Sequence, residues 1–342
     1  RKDPRVRDRI FETACELFYR HGIRAVGIDA IVCAGSGRPG VMLAFLKHLW
    51  ATGQRQEAHA RLADLVAREL ALTLAADLKQ PVTVENMGGA MGVPALGAVA
   101  RAEPDGHTLL LAAVGNVVLQ PMLSKRGGAD LVAKLKPIGP VSTAPHVLVV
   151  SAKIPVNTAG QLVAYARAHP GQISFASAGT GGTAHLGMEM FKLISGADVL
   201  HVPYKGSSGA FNDLASGQVS AMFSSLPSLQ GLADKGLVRI LAATAPSTSP
   251  ATKNLPLMSS VLPGFDYATW YAVYVPQATP SVLVERINAA LNRALKNPKL
   301  AEKVQAAGTE LYAGTPDEVQ RWTERDAEKW KRVIQTARIS ID

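Results

Sequence analysis

Residues 173–209, ISFASAGTGGTAHLGMEMFKLISGADVLHVPYKGSSG from Ile173 to Gly209, alternate strand and helix around two loops of glycine and hydroxyl residues. Ile173, Phe175 and Ala176 make a short apolar run, Gly179, Gly181 and Gly182 permit a sharp turn, and His185 to Ile194 take up helical spacing. A second apolar run, Val199 to Pro203, leads into the loop from Tyr204 to Gly209. A helix that starts straight after a glycine turn leaves its first N–H groups without intrahelical partners, and its dipole puts positive potential there. Such an end favours an anion. Ser177, Thr180 and Thr183 set hydroxyls beside it, and no arginine or lysine occurs between Ser174 and Leu186. An anion held here is gripped by amides and hydroxyls rather than by a salt bridge, which suits exchangeable capture of a small carboxylate.

Rival readings of the same loop are weaker. GTGGTA fits the dinucleotide pattern GxGxxG/A, but that pattern needs an acidic residue closing the next strand, where Tyr204 and Lys205 stand and Asp198 comes too early. The phosphate-loop pattern fails, because Gly182 is followed by Thr183 and Ala184 instead of Lys and Ser/Thr. Ser177 with His185 does not make a hydrolase, since Phe175 stands where the nucleophile elbow wants glycine. His185 reads as a structural hydrogen-bonder. A turn that only joins strand to helix remains the bland alternative.

Outward from the loop, the chain repeats the pattern. Upstream come a helix over Ala60 to Lys79, a strand Val82 to Glu85, the glycine-rich turn ENMGGAMG, a helix Val93 to Ala102, a strand Thr108 to Val114, a turn at Gly115-Asn116, a strand Val147 to Ser151 and a helix Thr158 to His169. Downstream come a helix Phe211 to Ser216, strands at Val219 to Phe223, Val238 to Thr244 and Tyr267 to Val275, and helices beginning near Pro280, Pro298 and Thr315. In the last helix Trp322, Ala327 and Trp330 are expected to anchor on the core. The alternation predicts α/β layers with parallel strands covered on both faces.

At 342 residues and 47% hydrophobic, the chain is long enough for two lobes. The expected division is residues 1–50 as a helical fragment, residues 51–113 plus 238–342 as lobe one, and residues 114–237 as lobe two. The formal charge of +9 is scattered along the chain, so it reads as solvated surface. Cys15 and Cys33 are the two cysteines, which excludes a disulfide framework or thiolate metal cluster from the body, and the histidines show no paired ligand spacing. No cofactor, no metal and no catalytic residue is expected. No apolar run reaches a membrane span, and residues 1–24 lack the pattern of a secretory signal.

From about Ala60 to Asp342, over four fifths of its length, the chain resembles the tripartite tricarboxylate transporter substrate-binding proteins, the TctC or Bug family. The resemblance rests on ENMGGAMG, AEPDGHTLLLA, PGQISFASAGTGGTAHL, HVPYKGSSGAFNDLASGQVSAMF, LPGFDYATWYAVYVPQATP and AGTPDEV, in that order. It implies a two-lobed periplasmic-binding-protein-like (type II) α/β fold, a ligand in the cleft, no enzymatic chemistry, a periplasmic location, a monomer, and membrane transport subunits as partners. Carried over by motif, Ser177, Gly179, Thr180, Gly181 and Thr183 hold a carboxylate, Tyr204, Lys205, Gly206 and Ser207 line the same cleft, and Asn116 sits at the crossover. Two departures stand out. Ser224 replaces the Asp that the family shows after Phe223, and the family's opening strand with its proline-glycine loop has no counterpart before residue 60, where Ala25 to Ala34 with GSGRPG is expected to stand in.

Arg5 to Cys33 resembles the first helix and the start of the second in TetR-type helix-turn-helix domains, through ELFYRHGIRAVGIDAIV. The recognition helix is not there: SGRPGVMLAF follows, and Gly37, Pro39 and Gly40 oppose a helix. No specific nucleic acid is expected as a partner. A ligand-sensing regulator and a nucleotide-dependent oxidoreductase remain the alternatives to a solute receptor.

Overall fold

The computed structural model describes residues 41–46, 58–87, 90–124, 128–306 and 308–341, all within a compact unit from Gly40 to Asp342. The helix expected over residues 5–24, the strand expected over 25–34 and the TetR-like segment lie outside the described residues.

Two sheets carry the fold. Chain order runs β1 (Val41–Leu46), α1 (Ala58–Leu78), β2 (Val82–Met87), α2 (Val93–Ala100), β3 (Thr108–Ala113), β4 (Leu135–Pro145), β5 (Val147–Ser151), α3 (Ala159–Ala168), β6 (Ser174–Ser177), α4 (Thr183–Ser195) and β7 (Leu200–Pro203). It continues with α5 (Ser207–Ser216), β8 (Ala221–Ser224), α6 (Leu226–Ala233), β9 (Val238–Ala243), β10 (Ala268–Pro276), α7 (Ser281–Leu295), α8 (Pro298–Ala306), β11 (Glu310–Leu311) and α9 (Pro316–Ala337). The first sheet is ordered β11-β4-β10-β3-β1-β2 and the second β7-β6-β8-β5-β9. The two-lobed α/β fold is thus present, with separate sheets in place of one continuous one.

Three strands correct the expected layout. β4 is new: the prolines of KPIGPVSTAP argue against a strand, because proline donates nothing to a ladder. The structure accommodates them near an edge, where β4 pairs along its length with β10 and on its other side only with two-residue β11. The register with β10 slips between Tyr271 and Ala272 and between Val273 and Tyr274, beside Pro140 and Pro137. β9 pairs with β5 in the second sheet, although residues 238–243 were expected in lobe one, and β4 joins the first sheet, although 135–145 were expected in lobe two. Pairing follows the chain's crossings between sheets, which periodicity does not reveal. The strand missing ahead of residue 60 is β1, which lies parallel between β2 and β3. It falls after GSGRPG, whereas a strand was expected before it. Gly115-Asn116, expected as a turn, opens a wide helical turn over Gly115–Leu119.

Packing explains the helices. α1 buries Val66, Leu70 and Leu74 with Leu109 and Leu111 of β3, and Asp77 and Glu69 on its rim pair with Arg293 and Lys303. α9 begins with Thr315 and Glu318 capping each other and with Pro316 at the first turn. It buries Trp330 at 2% exposure and packs Trp322 and Ala327 on the same cluster, the anchoring expected of that helix. That cluster also holds Phe175, Phe191, Phe223, Phe265 and Tyr267, so it draws on both sheets.

The chain passes from one sheet to the other at Pro145-His146-Val147 and returns after Thr244. There His146 N–H donates to Thr244 Oγ1 at 2.9 Å, Thr244 N–H donates to the His146 carbonyl at 2.8 Å, and Thr244 Oγ1 donates to the Tyr267 carbonyl at 2.7 Å. The His146 ring adds a 3.0 Å bond with Thr269 Oγ1.

Candidate functional site

β6 is flanked by two parallel neighbours, β7 and β8, so the C-terminal ends of all three strands emerge on one edge of the second sheet. Each is followed by a helix: α4 after the loop 178–182, α5 after 204–206, and α6 after Ser225. Three helix N-termini therefore lie along one edge. The first two loops are stitched together, since Tyr204 N–H donates to the Ser177 carbonyl at 2.9 Å and Gly206 N–H to the Ala178 carbonyl at 3.1 Å. Residues 177–183 and 204–207, which the sequence picked out separately, are thus brought into one constellation.

The loop after β6 turns on Gly181, whose φ of +82° L side chains rarely adopt. A Cβ there would stand 2.7 Å from Ile341 Cγ2 and 3.1 Å from Leu123 Cδ1. The C-terminal tail, held by Ile341 N–H on the Leu123 carbonyl, thus lies against the loop.

The individual side chains divide into two groups. To the first belong the hydroxyls of Thr180, Thr183 and Ser207, which make no hydrogen bond to a described residue; Thr180 is exposed and the other two are half-buried. Lys205 is exposed and has no ion pair among the described residues. To the second belong groups spent inside the protein. Ser177 is buried, and its Oγ bonds His201 Nε2 at 2.7 Å and the Gly179 carbonyl at 3.0 Å. Tyr204 donates its hydroxyl to Asp213 Oδ2 at 2.6 Å, and burial with that carboxylate beside it pushes the phenol up to about 12. Asn116 braces the other lobe: its Oδ1 accepts from Ala113 N–H and its Nδ2 donates to the Met91 carbonyl, both at 2.9 Å. Met91 has φ 50°, so the amide fixes the strained turn between β2 and α2. Asn116 also opens the helical segment that ends at Leu123 against Gly181.

Two histidines escaped the sequence reading as site components. His185, at the third position of α4, accepts from Gly181 N–H at Nδ1, 3.0 Å away, which makes it the hydrogen-bonder expected. Its ring stacks on His201 with centroids 3.8 Å apart and 12° between planes, and its Nε2 lies 3.7 Å from Glu189 Oε1. Burial, then the neighbouring His185, lowers His201 to about 4, so that ring is neutral near pH 7. Ser224, in place of the expected family Asp, ends β8 buried, and next to it Ser225 stands at the N-cap position of α6 with its Oγ 2.6 Å from Ser228 Oγ and no side-chain bond to the helix backbone.

The arrangement offers amides and hydroxyls, oriented by helix dipoles, to an anion. Among the described residues no group of three His, Cys, Asp or Glu could hold a metal ion, and no helix is long and apolar enough to cross a membrane.

The family model described as tripartite tricarboxylate transporter family receptor, TctC, matches residues 66–339. Protein BugT of Bordetella pertussis is 34% identical over 278 residues, 79% of this chain and 84% of that protein. The structure of R. palustris Rpa4515 with adipate is 28% identical and superposes with a TM-score of 0.73 over 88% of this chain and 99% of the other. That of the periplasmic binding protein BugD is 29% identical, with a TM-score of 0.70 over 89% of this chain and 99% of the other.

Proposed function

Because this chain belongs to the tripartite tricarboxylate transporter receptor family, whose members are solute-binding proteins and not enzymes, we propose that it captures a small organic carboxylate between its lobes and delivers it to membrane transport subunits. The location proposed is the periplasm and the working state a monomer. One observation carries the ligand class: two stitched loops place the N-termini of α4 and α5 side by side, and among the described residues nothing bonds the Thr180, Thr183 and Ser207 hydroxyls and no cation bonds into the loops. A carboxylate matches that donor set in charge and in number of acceptors. The adipate in the R. palustris relative supports a linear dicarboxylate as the first ligand to try.

In this reading Thr180, Thr183, Ser207 and the amides of Gly182, Thr183 and Ala184 touch the carboxylate, while the amides of Gly179, Gly181 and Gly206 donate to Ser177 Oγ, His185 Nδ1 and the Ala178 carbonyl and shape the loops. Ser177 and Tyr204 hold the loops in shape, Lys205 supplies a cation at the rim, and Asn116 fixes the turn that lobe one brings to the cleft. Titration calorimetry with adipate tests it. Replacing Thr180 or Thr183 by Leu removes hydroxyl donors and lowers affinity by about tenfold or more, with the fold intact. Unchanged affinity in both variants would place the site elsewhere.

The regulator reading gains nothing here, since the only segment resembling a DNA-binding domain lacks its recognition helix. The arginines at 5, 7, 9, 20 and 24 lie outside the described residues, and no sequence-specific DNA binding is proposed. The oxidoreductase reading fails at β7, which is followed by Tyr204 and Lys205 where a ribose-binding carboxylate belongs.

A further inference from the structure

The loop between β6 and α4 is fastened at both ends by the stacked imidazoles. At its start Ser177 Oγ bonds His201 Nε2, and the same oxygen lies 3.3 Å from Gly179 N–H and 3.0 Å from the Gly179 carbonyl. At its end Gly181 N–H points into the protein, onto His185 Nδ1. A capping box has the third helical side chain reach back to the N-cap amide. Here His185 reaches one residue further, past the N-cap Gly182 to Gly181. That bond turns the Gly181 amide inward and leaves those of Gly182, Thr183 and Ala184 as the free donors at the helix end.

Only an imidazole with a bare Nδ1 can accept this bond, so His185 carries its proton on Nε2, toward Glu189. His201 lies flat against that ring, at 3.8 Å, and keeps it from swinging away. Resting on the carboxylate-binding reading of this loop, we propose that His185 is the positioning residue for ligand capture: its neutral, Nε2–H form holds the loop in the shape that aims the α4 amides at the ligand, and His201 holds His185. Neither imidazole touches the ligand. The site thereby keeps its donors fixed before the ligand arrives, which lowers the ordering cost of binding.

Asparagine can place an amide oxygen where Nδ1 now stands, whereas leucine cannot. The test compares His185→Asn with His185→Leu, and adds His201→Phe, which keeps the stack but loses the bond to Ser177. Two readouts are taken, hydrogen exchange at the Gly181 amide without ligand and adipate affinity by calorimetry. Exchange at Gly181 is expected to be slow in the wild type and in His185→Asn, and about tenfold faster or more in His185→Leu. Affinity should fall about tenfold in His185→Leu and recover to within about threefold in His185→Asn. His201→Phe should speed exchange in the loop while retaining the fold. If adipate fails to bind the wild type while the exchange pattern holds, the carboxylate reading falls and the positioning role stands. Gly181 exchange that is equally slow in all three variants, or His185→Asn as impaired as His185→Leu in both readouts, overturns the proposal.

Discussion

Substituting alanine for Gly181 tests whether the loop after β6 is the ligand's holder or only a connection. The backbone there has φ +82°, and placing an L side chain in such a conformation costs about 1–2 kcal/mol. The new methyl would also lie 2.7 Å from Ile341 Cγ2 and 3.1 Å from Leu123 Cδ1. Carbon atoms prefer separations near ~3.5–4.0 Å, so the tail or the loop must give by about 1 Å, at an overpacking cost of about 1–3 kcal/mol. The total is about 2–5 kcal/mol. It appears as lost stability if the loop keeps its shape, or as lost affinity if the loop shifts and carries its amides away. A 2 kcal/mol loss of binding is about thirtyfold in affinity. Urea unfolding and adipate titration on the same samples separate the two. Gly196→Ala is the reference: it lies at the other end of α4, has φ +66° and has nothing within 4 Å of the added methyl, so it loses about 1 kcal/mol of stability and no affinity. If Gly181→Ala matches Gly196→Ala in both measurements, neither the tail contact nor the loop shape matters as argued.

Two further outcomes are expected. Asp326 is buried and accepts from Trp270 Nε1 at 2.7 Å, with Arg325 and Lys329 on its other oxygen, so Asp326→Ala strands an indole N–H and should cost about 3 kcal/mol in urea unfolding. Asp326→Asn keeps an acceptor and should cost less; equal losses would deny the bond its role. His201 is lowered in the fold to about 4 from an ordinary 6.5, so between those values the unfolded chain binds more protons than the folded one. The neutral ring's contribution is therefore whole above about pH 6.5, declines as pH falls, and is gone below about 4, a loss of about 2 kcal/mol after allowance for partial exposure. His201→Phe should flatten stability against pH over that window, and an unchanged slope would count against the assignment.

The β6-loop-α4 unit was legible because its signals are local: an apolar run, glycines where the backbone turns, and helical spacing behind them. β4 was not legible, since Pro137, Pro140 and Pro145 speak against a strand and only its place beside β10 and short β11 admits them. β9 was visible as a strand but not as part of the second sheet, because pairing with β5 is decided by where the chain crosses between sheets. At the proposed site, residue types marked a loop of glycines and hydroxyls, yet they did not say which hydroxyls face inward. Ser177 and Thr180 look alike in sequence; His201 and Gly179 take up Ser177, and Thr180 has no such neighbour. The i, i+4 spacing of Gly181 and His185 was the one available sign of the histidine bond, and it reads as a helix start unless the tautomer is considered.

The junction at His146 and Thr244 has a kinetic consequence. These residues are 98 positions apart and bonded to each other, so everything between them leaves the first sheet and comes back at one point. All strand pairs of the second sheet lie inside that span, whereas β10 must find β3 and β4 from beyond it. If the inner sheet assembles first, it ties the ends of the insertion together and reduces a long loop closure to a short one, which removes part of the entropic cost of inserting β10 between its two neighbours. The outer sheet would then be the slow one to form, and its rate would depend on Thr244, a residue that belongs to neither sheet.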